Sequence, residues 1–271
     1  MYASTISKYI TNRGDPVERL LEVSTPQGLE TCGEVAVESI EKLYSLILNE
    51  AFTKITKTEA SRIRSCLSIL VSAQQPLSIC TYAKILDIRV NLVRTALESL
   101  HSVMVVPDAD ANDQHISIYH ASFQDYLVAH TDMLDDAENA NRCFNFMNSE
   151  LRVGISGAVT SHLSNDKQPR ALRVSAHLQY VCTAWGNLVL RLVGPDDLIA
   201  EDIQGKIEAF LRNKFLNWLE VLSAMGDVPY AARLLHRLSQ VCQFSMLDEP
   251  IYKGLTLLSE STRIVSGINF D

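Results

Sequence analysis

Apolar residues recur along most of the chain at the spacing of an α-helix. From Glu34 onward they follow the i, i+3, i+4, i+7 pattern, so we expect a helix to begin there. The same period predicts helices over 58–73, 79–86 and 90–101, and Ser78 is the expected N-cap of the second. The residues that these stripes turn inward are Ile40, Leu43, Tyr44, Ile47, Leu48, Ala51, Phe52, Ile63, Cys66, Leu67, Leu70, Val71, Val93, Leu97 and Leu100.

The pattern changes to that of β-strands between residues 103 and 119. VMVV (103–106) and the alternating HISIY (115–119) flank the polar turn PDADAND (107–113), which together predict a β-hairpin. A helix follows, for which Ser122 is the expected N-cap and Asp125, three residues on, gives an acidic variant of the capping box. The expected core residues of that helix are Phe123, Tyr126 and Leu127.

The order helix, helix, helix, hairpin, helix over 58–130 is that of a winged-helix domain. Beyond residue 135 the period is helical again, with an apolar stripe formed by Ala140, Cys143, Phe144, Met147 and Leu151. Further helices are expected over 171–192, 197–213, 215–225 and 228–244, with Gly226 ending the third of these. The fold class is therefore mainly α: a winged-helix-like domain with a small β-hairpin, followed by an all-α helical domain.

Composition adds a sizeable core and an acidic balance to this picture. The chain has 271 residues, 47% of them hydrophobic, and a formal net charge of −8. Nucleic-acid binding needs clustered Lys and Arg, whereas the segment 76–130 carries Lys84, Arg89 and Arg94 against twice as many acidic residues. A winged-helix DNA-binding protein is therefore the least favoured function, although the charge leaves room for one local basic patch.

The candidate chemistry of the chain is sparse. No GxxxxGK[ST], GxSxG or HExxH motif and no CxxC pair occurs, so we expect no enzyme, no catalytic residue and no metal site. His177 and His236 lie on predicted helices without a partner at metal spacing, and Trp185 and Trp218 are expected to be packing anchors. The six cysteines read as reduced, mostly buried thiols of a cytoplasmic protein.

The beginning of the chain lacks the apolar core of a signal peptide, and no apolar run approaches the ~18 residues of a membrane helix. We therefore expect no membrane partner. The segment YASTISKYI is predicted as a short helix or a strand-to-helix join, VERLLEV (17–23) as a short helix, and TPQGLETCG (25–33) as a loop.

Several runs, in this order and spacing, resemble fungal NACHT proteins. SILVSAQQPLS (68–78), VRTALESLHSVMVVPD (93–108) and YHASFQDYL (119–127) resemble the region after their nucleotide-binding core. YASTISKYI…DPVERL resembles the end of the core, LYSLIL the helical linker, and QYVCTAWGNLVL with FLNWLEVLSAMGDV the helical region that follows. These proteins are STAND-class P-loop NTPases of the NLR type and include vegetative-incompatibility proteins.

The resemblance implies a division of the chain. Residues 1–33 correspond to the end of a NACHT core, 34–57 to a helical linker, 58–134 to the winged-helix-like domain, 135–245 to the helical domain and 246–271 to a tail. The Walker A and Walker B segments of the family precede this region, so the resemblance implies ADP or ATP with Mg²⁺ in full-length relatives and no cofactor in this chain.

The resemblance also singles out His120. The run His120-Ala121-Ser122-Phe123-Gln124-Asp125-Tyr126-Leu127 is similar to a motif whose His matches that of the Met-His-Asp motif in plant resistance proteins, near the β-phosphate of bound ADP. His120 is thus a nucleotide-sensor candidate that needs a NACHT core, with Ser122, Phe123 and Asp125 supporting it. The alternative is a hydrogen-bonded structural histidine.

Two functions follow. The first is a non-catalytic regulatory module of a fungal NLR-like NTPase, whose partners are the NACHT core, in the same chain or in trans, and other proteins. The second is a free-standing helical adaptor or decoy that binds full-length relatives.

Overall fold

The computed structural model describes residues 34–108, 110–158, 165–167, 173–194 and 199–241, together with Ser7, and only the backbone of 34–39. The chain divides into two compact units, Met1–Asp135 and Asp136–Asp271. The elements predicted before residue 34 and the tail from 246 lie outside the described residues. The finer division into a core remnant, linker and domains stays a prediction.

The described part of the chain is mainly helical, as expected, and its single sheet has two strands. In the first unit the elements are α1 (Glu34–Ala51), α2 (Lys57–Ser72), α3 (Ile79–Leu86), α4 (Val90–Leu97), β1 (Met104–Val105), β2 (Ser117–Ile118) and α5 (Ala121–Ala129). Short 3₁₀ turns occupy Glu98–Leu100 and Thr131–Met133. The predicted helices over 58–73 and 79–86 are confirmed, whereas the helix predicted over 90–101 tightens into the 3₁₀ turn after Leu97.

Local hydrogen bonds explain where α2 and α3 begin. Thr56 and Glu59 form a capping box, in which Glu59 Oε2 accepts from the Thr56 N–H at 2.8 Å and Thr56 Oγ1 accepts from the Glu59 N–H at 3.2 Å. The Thr56 hydroxyl also donates to Glu59 Oε2 at 2.8 Å. The backbone N–H and the hydroxyl of Thr56 thus both donate to this carboxylate and lower its pKa, the backbone bond most. Ser78 caps α3 as predicted, since its Oγ accepts from the Thr81 N–H at 3.3 Å.

The predicted β-hairpin is present. Strands β1 and β2 are antiparallel, with Met104 opposite Ile118 and Val105 opposite Ser117. A further bridge joins Ser78 to His115, so the residues before α3 lie beside the second strand of the hairpin. The bridge places the start of α3 against the same hairpin that leads into α5.

The core of the first unit follows the predicted stripes closely. Of the residues expected inward, Leu43, Tyr44, Ile47, Leu48, Ala51, Ile63, Cys66, Leu67, Val71, Val93, Leu97 and Leu100 are buried. Leu70 was expected to be buried with them but is half-buried, and Ile69 takes the buried position instead. Ile40 and Phe52, at the ends of the α1 stripe, are half-buried.

The second unit contains α6 (Asp136–Glu150), α7 (Ala176–Arg191), α8 (Glu201–Met225) and α9 (Val228–Val241), with a 3₁₀ turn at Asn165–Lys167. The prediction of separate helices over 197–213 and 215–225 was wrong, because α8 runs unbroken for 25 residues. No Gly or Pro lies near residue 214 to break it, and buried residues continue from Phe210 to Leu222. The helix predicted over 171–192 begins later, at Ala176.

Gly226 ends α8 as predicted. Its φ of +75° lies in the left-handed region, and the Asp227 and Gly226 N–H groups donate to Leu222 O and Ser223 O at 2.9 and 3.0 Å. This pattern is a Schellman motif, which satisfies the last carbonyls of the helix. The chain then turns directly into α9.

Aromatic side chains fill the centre of the second unit. The Trp185 and Trp218 rings are fully buried and meet edge to face with centroids 5.6 Å apart, and the Trp218 indole N–H donates to Cys182 O at 2.8 Å. The prediction that both tryptophans are packing anchors is confirmed. All five residues of the predicted α6 stripe are also buried.

A buried ion pair joins the first residue of α6, Asp136, to the last residue of α7, Arg191. Asp136 receives two bonds from the Arg191 guanidinium, from Nε at 2.7 Å and from Nη2 at 2.8 Å. The Asp136 side chain is only 5% exposed and that of Arg191 only 15%, so the pair is well shielded from water.

Among the described residues, none of the helices is both long enough and apolar enough to cross a bilayer.

Candidate functional site

The strongest candidate site lies where the hairpin leads into α5. Strand β2 ends at Ile118, and the backbone stays extended through His120, with φ −151° and ψ 137°. His120 is therefore the N-cap of α5, and its Nδ1 accepts from the Ser122 N–H at 3.1 Å. The prediction that Ser122 is the N-cap was wrong, because α5 begins at Ala121. Ser122 lies in the first turn of the helix, where its own N–H has no partner within the helix and needs an acceptor.

Ser122 connects His120 to the first helix of the unit. Its Oγ lies 2.8 Å from His120 Nδ1 and 2.8 Å from the Tyr44 hydroxyl. Because Nδ1 already accepts from a backbone N–H, it carries no proton, and the Ser122 hydroxyl must donate to it. The Tyr44 hydroxyl in turn donates to Ser122 Oγ. These contacts fix a chain of donors from α1 to the imidazole and leave the His120 proton on Nε2.

Nε2 of His120 is the only atom of this chain of donors that is left to act on another molecule. The side chain is half-buried, and Nε2 has no hydrogen-bond partner in the part of the chain that the structure describes. A neutral imidazole with its proton on Nε2 donates a single directed hydrogen bond. The arrangement suits recognition of an oxygen acceptor rather than nucleophilic chemistry.

The other residues of the motif have different positions. Phe123 is buried, as are Tyr126 and Leu127, so their assignment to the core is confirmed. Asp125 is exposed, and the first turn of α5 contains no acidic residue. The expected capping box with Asp125 is therefore wrong, because the actual cap lies two residues earlier than Ser122. Ser122 remains part of the site, through its hydroxyl.

A second hydroxyl contact holds the same two helices together. Ser45, next to Tyr44 on α1, lies 2.7 Å through its Oγ from the Tyr126 hydroxyl. The Tyr44 ring also packs edge-on against Phe123 and Tyr126, at centroid distances of 5.1 and 5.5 Å. Two adjacent residues of α1 thus contact three residues within one turn of α5, which fixes the helix that presents His120.

A histidine also stands at the far end of α5. His130 Nδ1 donates to the Tyr126 carbonyl at 2.9 Å, and its ring stacks on Tyr126 at 4.1 Å. Nδ1 is thus an acceptor in His120 and a donor in His130, so the neutral rings carry their protons on different nitrogens. His130 ends the helix, while His120 begins it.

Sequence reasoning missed Tyr44, Ser45 and His130 as parts of this site. Tyr44 was assigned to the α1 stripe as an apolar residue. Its signal was the hydroxyl, since a buried tyrosine on an apolar stripe needs a hydrogen-bond partner. The identity of that partner, 78 positions away, has no local signature in the sequence.

Other candidate groups do not converge. Among the described residues no three His, Cys, Asp or Glu side chains are grouped so that they could hold a metal ion. His177 Nε2 lies 2.9 Å from Ser175 Oγ, and His236 is exposed beside Gln240. A cleft of about 300 Å³ between α1, α2 and α4 is lined by Glu50, Glu59 and Arg62 among others, but Glu59 is committed to the α2 cap.

The described cysteines are all free thiols. Cys66, Cys143 and Cys182 are buried, and Cys80 is half-buried. Burial raises the pKa of the Cys143 and Cys182 thiols, so neither is activated as a nucleophile.

Comparison of the chain with protein families, with curated proteins and with solved structures found no match.

Proposed function

We propose that this chain is a non-catalytic regulatory module of a fungal NLR-like STAND NTPase, coupling the nucleotide state of a NACHT core to signalling. The observation that carries the proposal is the orientation of His120. Its Nδ1 is committed to the first turn of α5, and its protonated Nε2 is left as a donor. The β-phosphate of ADP offers charged oxygen acceptors of the kind this donor suits.

The order of elements supports the winged-helix part of the proposal. Three helices, α2 to α4, precede the hairpin, and α5 follows it directly. An antiparallel bridge between Ser78 and His115 pairs the residue before α3 with the chain that leads into β2. In a winged-helix domain this arrangement holds the hairpin beside the helix-turn-helix, and His120 stands where the hairpin ends.

The contacts of Arg94 favour a protein partner over DNA. Arg94 is the only cation on α4, the helix that would enter the major groove. Its guanidinium donates to Pro107 O at 3.1 Å, to Asp108 O at 2.8 Å and to Asn112 Oδ1 at 2.7 Å. These bonds commit Arg94 to the hairpin turn, so a DNA-binding function is the least favoured alternative.

The fit of this chain to a nucleotide rests on one donor. His120 would contact a phosphate oxygen, whereas the rest of the phosphate cradle and the Mg²⁺ site belong to the proposed core. A contact made only in the ADP state would shift the position of the module toward that state, since a ligand shifts an equilibrium only by the difference between its interactions with the two states.

The reduced thiols, among them buried Cys66 and Cys143, favour a cytoplasmic setting for this assembly.

The test uses a protein in which this chain follows a NACHT core. His120→Ala should weaken ADP retention by about tenfold to a hundredfold, the range for one hydrogen bond to a charged group. His236→Ala, a change at an exposed histidine, is the matched control. ADP dissociation that is equally slow in wild type and His120→Ala would refute the sensor role. Calorimetric titration of ADP into this chain alone should show no binding.

A free-standing adaptor or decoy is the second candidate. Val153 and Leu216 in the second unit are 90% and 75% exposed, which favours a protein-binding role for this unit. An adaptor should bind a separately expressed NACHT core from a full-length relative, and that binding should not depend on His120.

A further inference from the structure

Two aliphatic side chains on different elements of the second unit face solvent. Val153 follows α6, and Leu216 lies in the middle of α8; their side chains are among the most exposed large apolar groups of the described residues. Single exposed aliphatic residues are common and need no explanation. Here, however, hydrogen bonds tie the loop that carries Val153 to Glu220, which lies one turn after Leu216 on α8.

The loop that carries Val153 is pinned to α8 on both sides of Leu216. Glu220, one turn after Leu216, accepts from the Gly154 N–H at 2.9 Å and from the Ser156 N–H at 3.0 Å. Lys214 Nζ donates to Leu151 O at 2.8 Å. The backbone around Val153 is therefore fixed, and little conformational entropy would be lost when a partner covers it.

Three arginines lie in or beside the segments that carry this pair. Arg152 precedes Val153, Arg212 lies one turn before Leu216, and the Arg173 N–H donates to Ser156 O at 3.1 Å. All three side chains are exposed, and those of Arg152 and Arg173 have no ion-pair partner among the described residues. We call these three arginines, with Val153 and Leu216, the arginine-rimmed patch.

The patch has the opposite sign to the chain as a whole. The segments that build it, residues 150–156, 173 and 212–220, contain four basic and two acidic residues, whereas the chain has a formal net charge of −8. One of the two acids, Glu220, is already bonded to the loop. Its carboxylate oxygens therefore have less capacity to pair with the arginines around the patch.

We propose that the arginine-rimmed patch docks an acidic protein segment, which places an aliphatic side chain against Val153 and Leu216 and carboxylates against the arginines. A fixed apolar centre with a charged rim is the usual anatomy of a protein interface. Complementary charge supplies the choice of partner. This inference goes beyond the regulatory function proposed above, which uses no residue of the patch, and it adds a partner chemistry to the exposure of Val153 and Leu216 that favours an adaptor.

Two other classes of partner fit less well. A bilayer interface favours Trp, Phe and Leu above a lysine-rich face, whereas the patch offers two short aliphatic groups on an acidic chain. Tight binding to nucleic acid needs more cations along the phosphate backbone than three arginines supply. A protein segment is therefore the favoured occupant, and the other two become outcomes of the test.

The experiment selects random short peptides by display on the full chain, with counter-selection on the variant Leu216→Asp. Leu216 is 75% exposed, so this variant should fold, which its melting temperature checks. We expect the selected peptides to carry Asp or Glu around Leu, Ile or Val. A synthetic peptide from the selection should bind about tenfold more weakly to Arg152→Glu or Arg173→Glu, because each variant replaces a favourable charge pair at the rim by a like-charge contact.

Arg237→Glu is the matched control, because Arg237 is an exposed arginine on α9 outside the patch. It should change affinity by less than about twofold. The proposal is overturned if the selected peptides are basic or neutral, if none depends on Leu216, or if the control weakens binding as much as Arg152→Glu. Patch-dependent binding to phosphatidylserine vesicles or to single-stranded DNA in place of peptides would also overturn it.

Discussion

The imidazole Nδ1 of His120 accepts the backbone N–H of Ser122 at 3.1 Å, two residues into the helix that the histidine caps. Histidine takes here the role that Ser, Thr, Asp or Asn usually plays at a helix N-terminus. A consequence is that the cap holds only when Nδ1 is unprotonated. The capping bond therefore also determines which ring nitrogen carries the proton: Nδ1 accepts from the helix, and Nε2 remains the donor.

The first prediction concerns the tautomers at the two ends of α5. We expect His120 to carry its proton on Nε2 and His130 on Nδ1, because their Nδ1 atoms accept and donate, respectively. Long-range ¹H–¹⁵N correlation spectra of the neutral rings distinguish the two forms. Tyr44→Phe should leave the His120 tautomer unchanged, since the Ser122 N–H still donates to Nδ1. A proton found on His120 Nδ1 would contradict the donor chain.

The second prediction concerns the buried pair of Asp136 and Arg191. Asp136→Asn should destabilise the protein by about 3–5 kcal/mol, because it removes the carboxylate that binds the buried Arg191 guanidinium through two hydrogen bonds. Chemical denaturation measures the change in free energy of unfolding. The double variant Asp136→Leu, Arg191→Met should recover most of the loss, since an apolar pair removes both charges.

The control for this pair is Asp202, which faces Lys206 one turn on along α8 with both side chains well exposed. Asp202→Asn should cost no more than about 0.5 kcal/mol. If Asp136→Asn costs as little as Asp202→Asn, the ion pair between α6 and α7 is not formed in solution.

The third prediction compares two glycines inside helices. A Cβ at Gly186 would clash with the methyl carbons of buried Leu234, whereas a Cβ at Gly205 would meet nothing within 4 Å. Gly205→Ala should therefore stabilise by about 0.5–1 kcal/mol through helix propensity, and Gly186→Ala should destabilise by about 1–3 kcal/mol through overpacking.

Thermal unfolding of the two single variants tests this difference. In the Gly186→Ala background, Leu234→Ala should cost much less than it does in the wild type, because the added methyl fills part of the space that Leu234 vacates. Equal stabilisation by both glycine replacements would mean that α7 and α9 do not approach as closely as the structure places them.

The fourth prediction is a loss of stability at alkaline pH. Burial raises the pKa values of Cys143, Cys182, Tyr82 and Tyr230 above their ordinary values. The unfolded chain therefore releases these protons first, and the stabilisation present at lower pH is lost as pH rises from the unfolded pKa values toward the folded ones. Stability should fall above about pH 8.5 as the thiols ionise, and more steeply above about pH 10.

Each fully shifted group contributes a slope of about 1.4 kcal/mol per pH unit. Urea unfolding in reducing buffer at a series of pH values measures it. In the double variant Cys143→Ala, Cys182→Ala, the slope between about pH 8.5 and 10 should be shallower than in wild type. An unchanged slope would show that these two thiols are not the groups that titrate.

Much of the fold was predictable because its signals are local. The Ser78 cap, the Gly226 stop and the period of α2 each depend on residues within a turn or two, and all three predictions are confirmed. The division of α8 into two helices was wrong although the signal there is also local. The buried positions keep one helical period from Ile203 to Leu222, and no Gly or Pro lies near residue 214.

The candidate site was predictable only in part. The motif pointed to His120, but the sequence assigned the cap to Ser122, the residue type that usually fills that position. The structure decided otherwise because β2 fixes where the extended chain ends and because the Ser122 hydroxyl is engaged by Tyr44. Neither fact is visible within the motif itself.

The sequence alone determined the helical period, the hairpin, most helix ends and the residues of the core, because these depend on the alternation of apolar positions and on side chains a few residues apart. The tertiary structure alone decided which hydroxyl meets which partner across α1 and α5, that Asp136 binds Arg191, and that the loop after Val153 binds Glu220 of α8. These contacts join residues far apart in the chain, and only the packing of whole helices brings them within hydrogen-bonding or van der Waals distance.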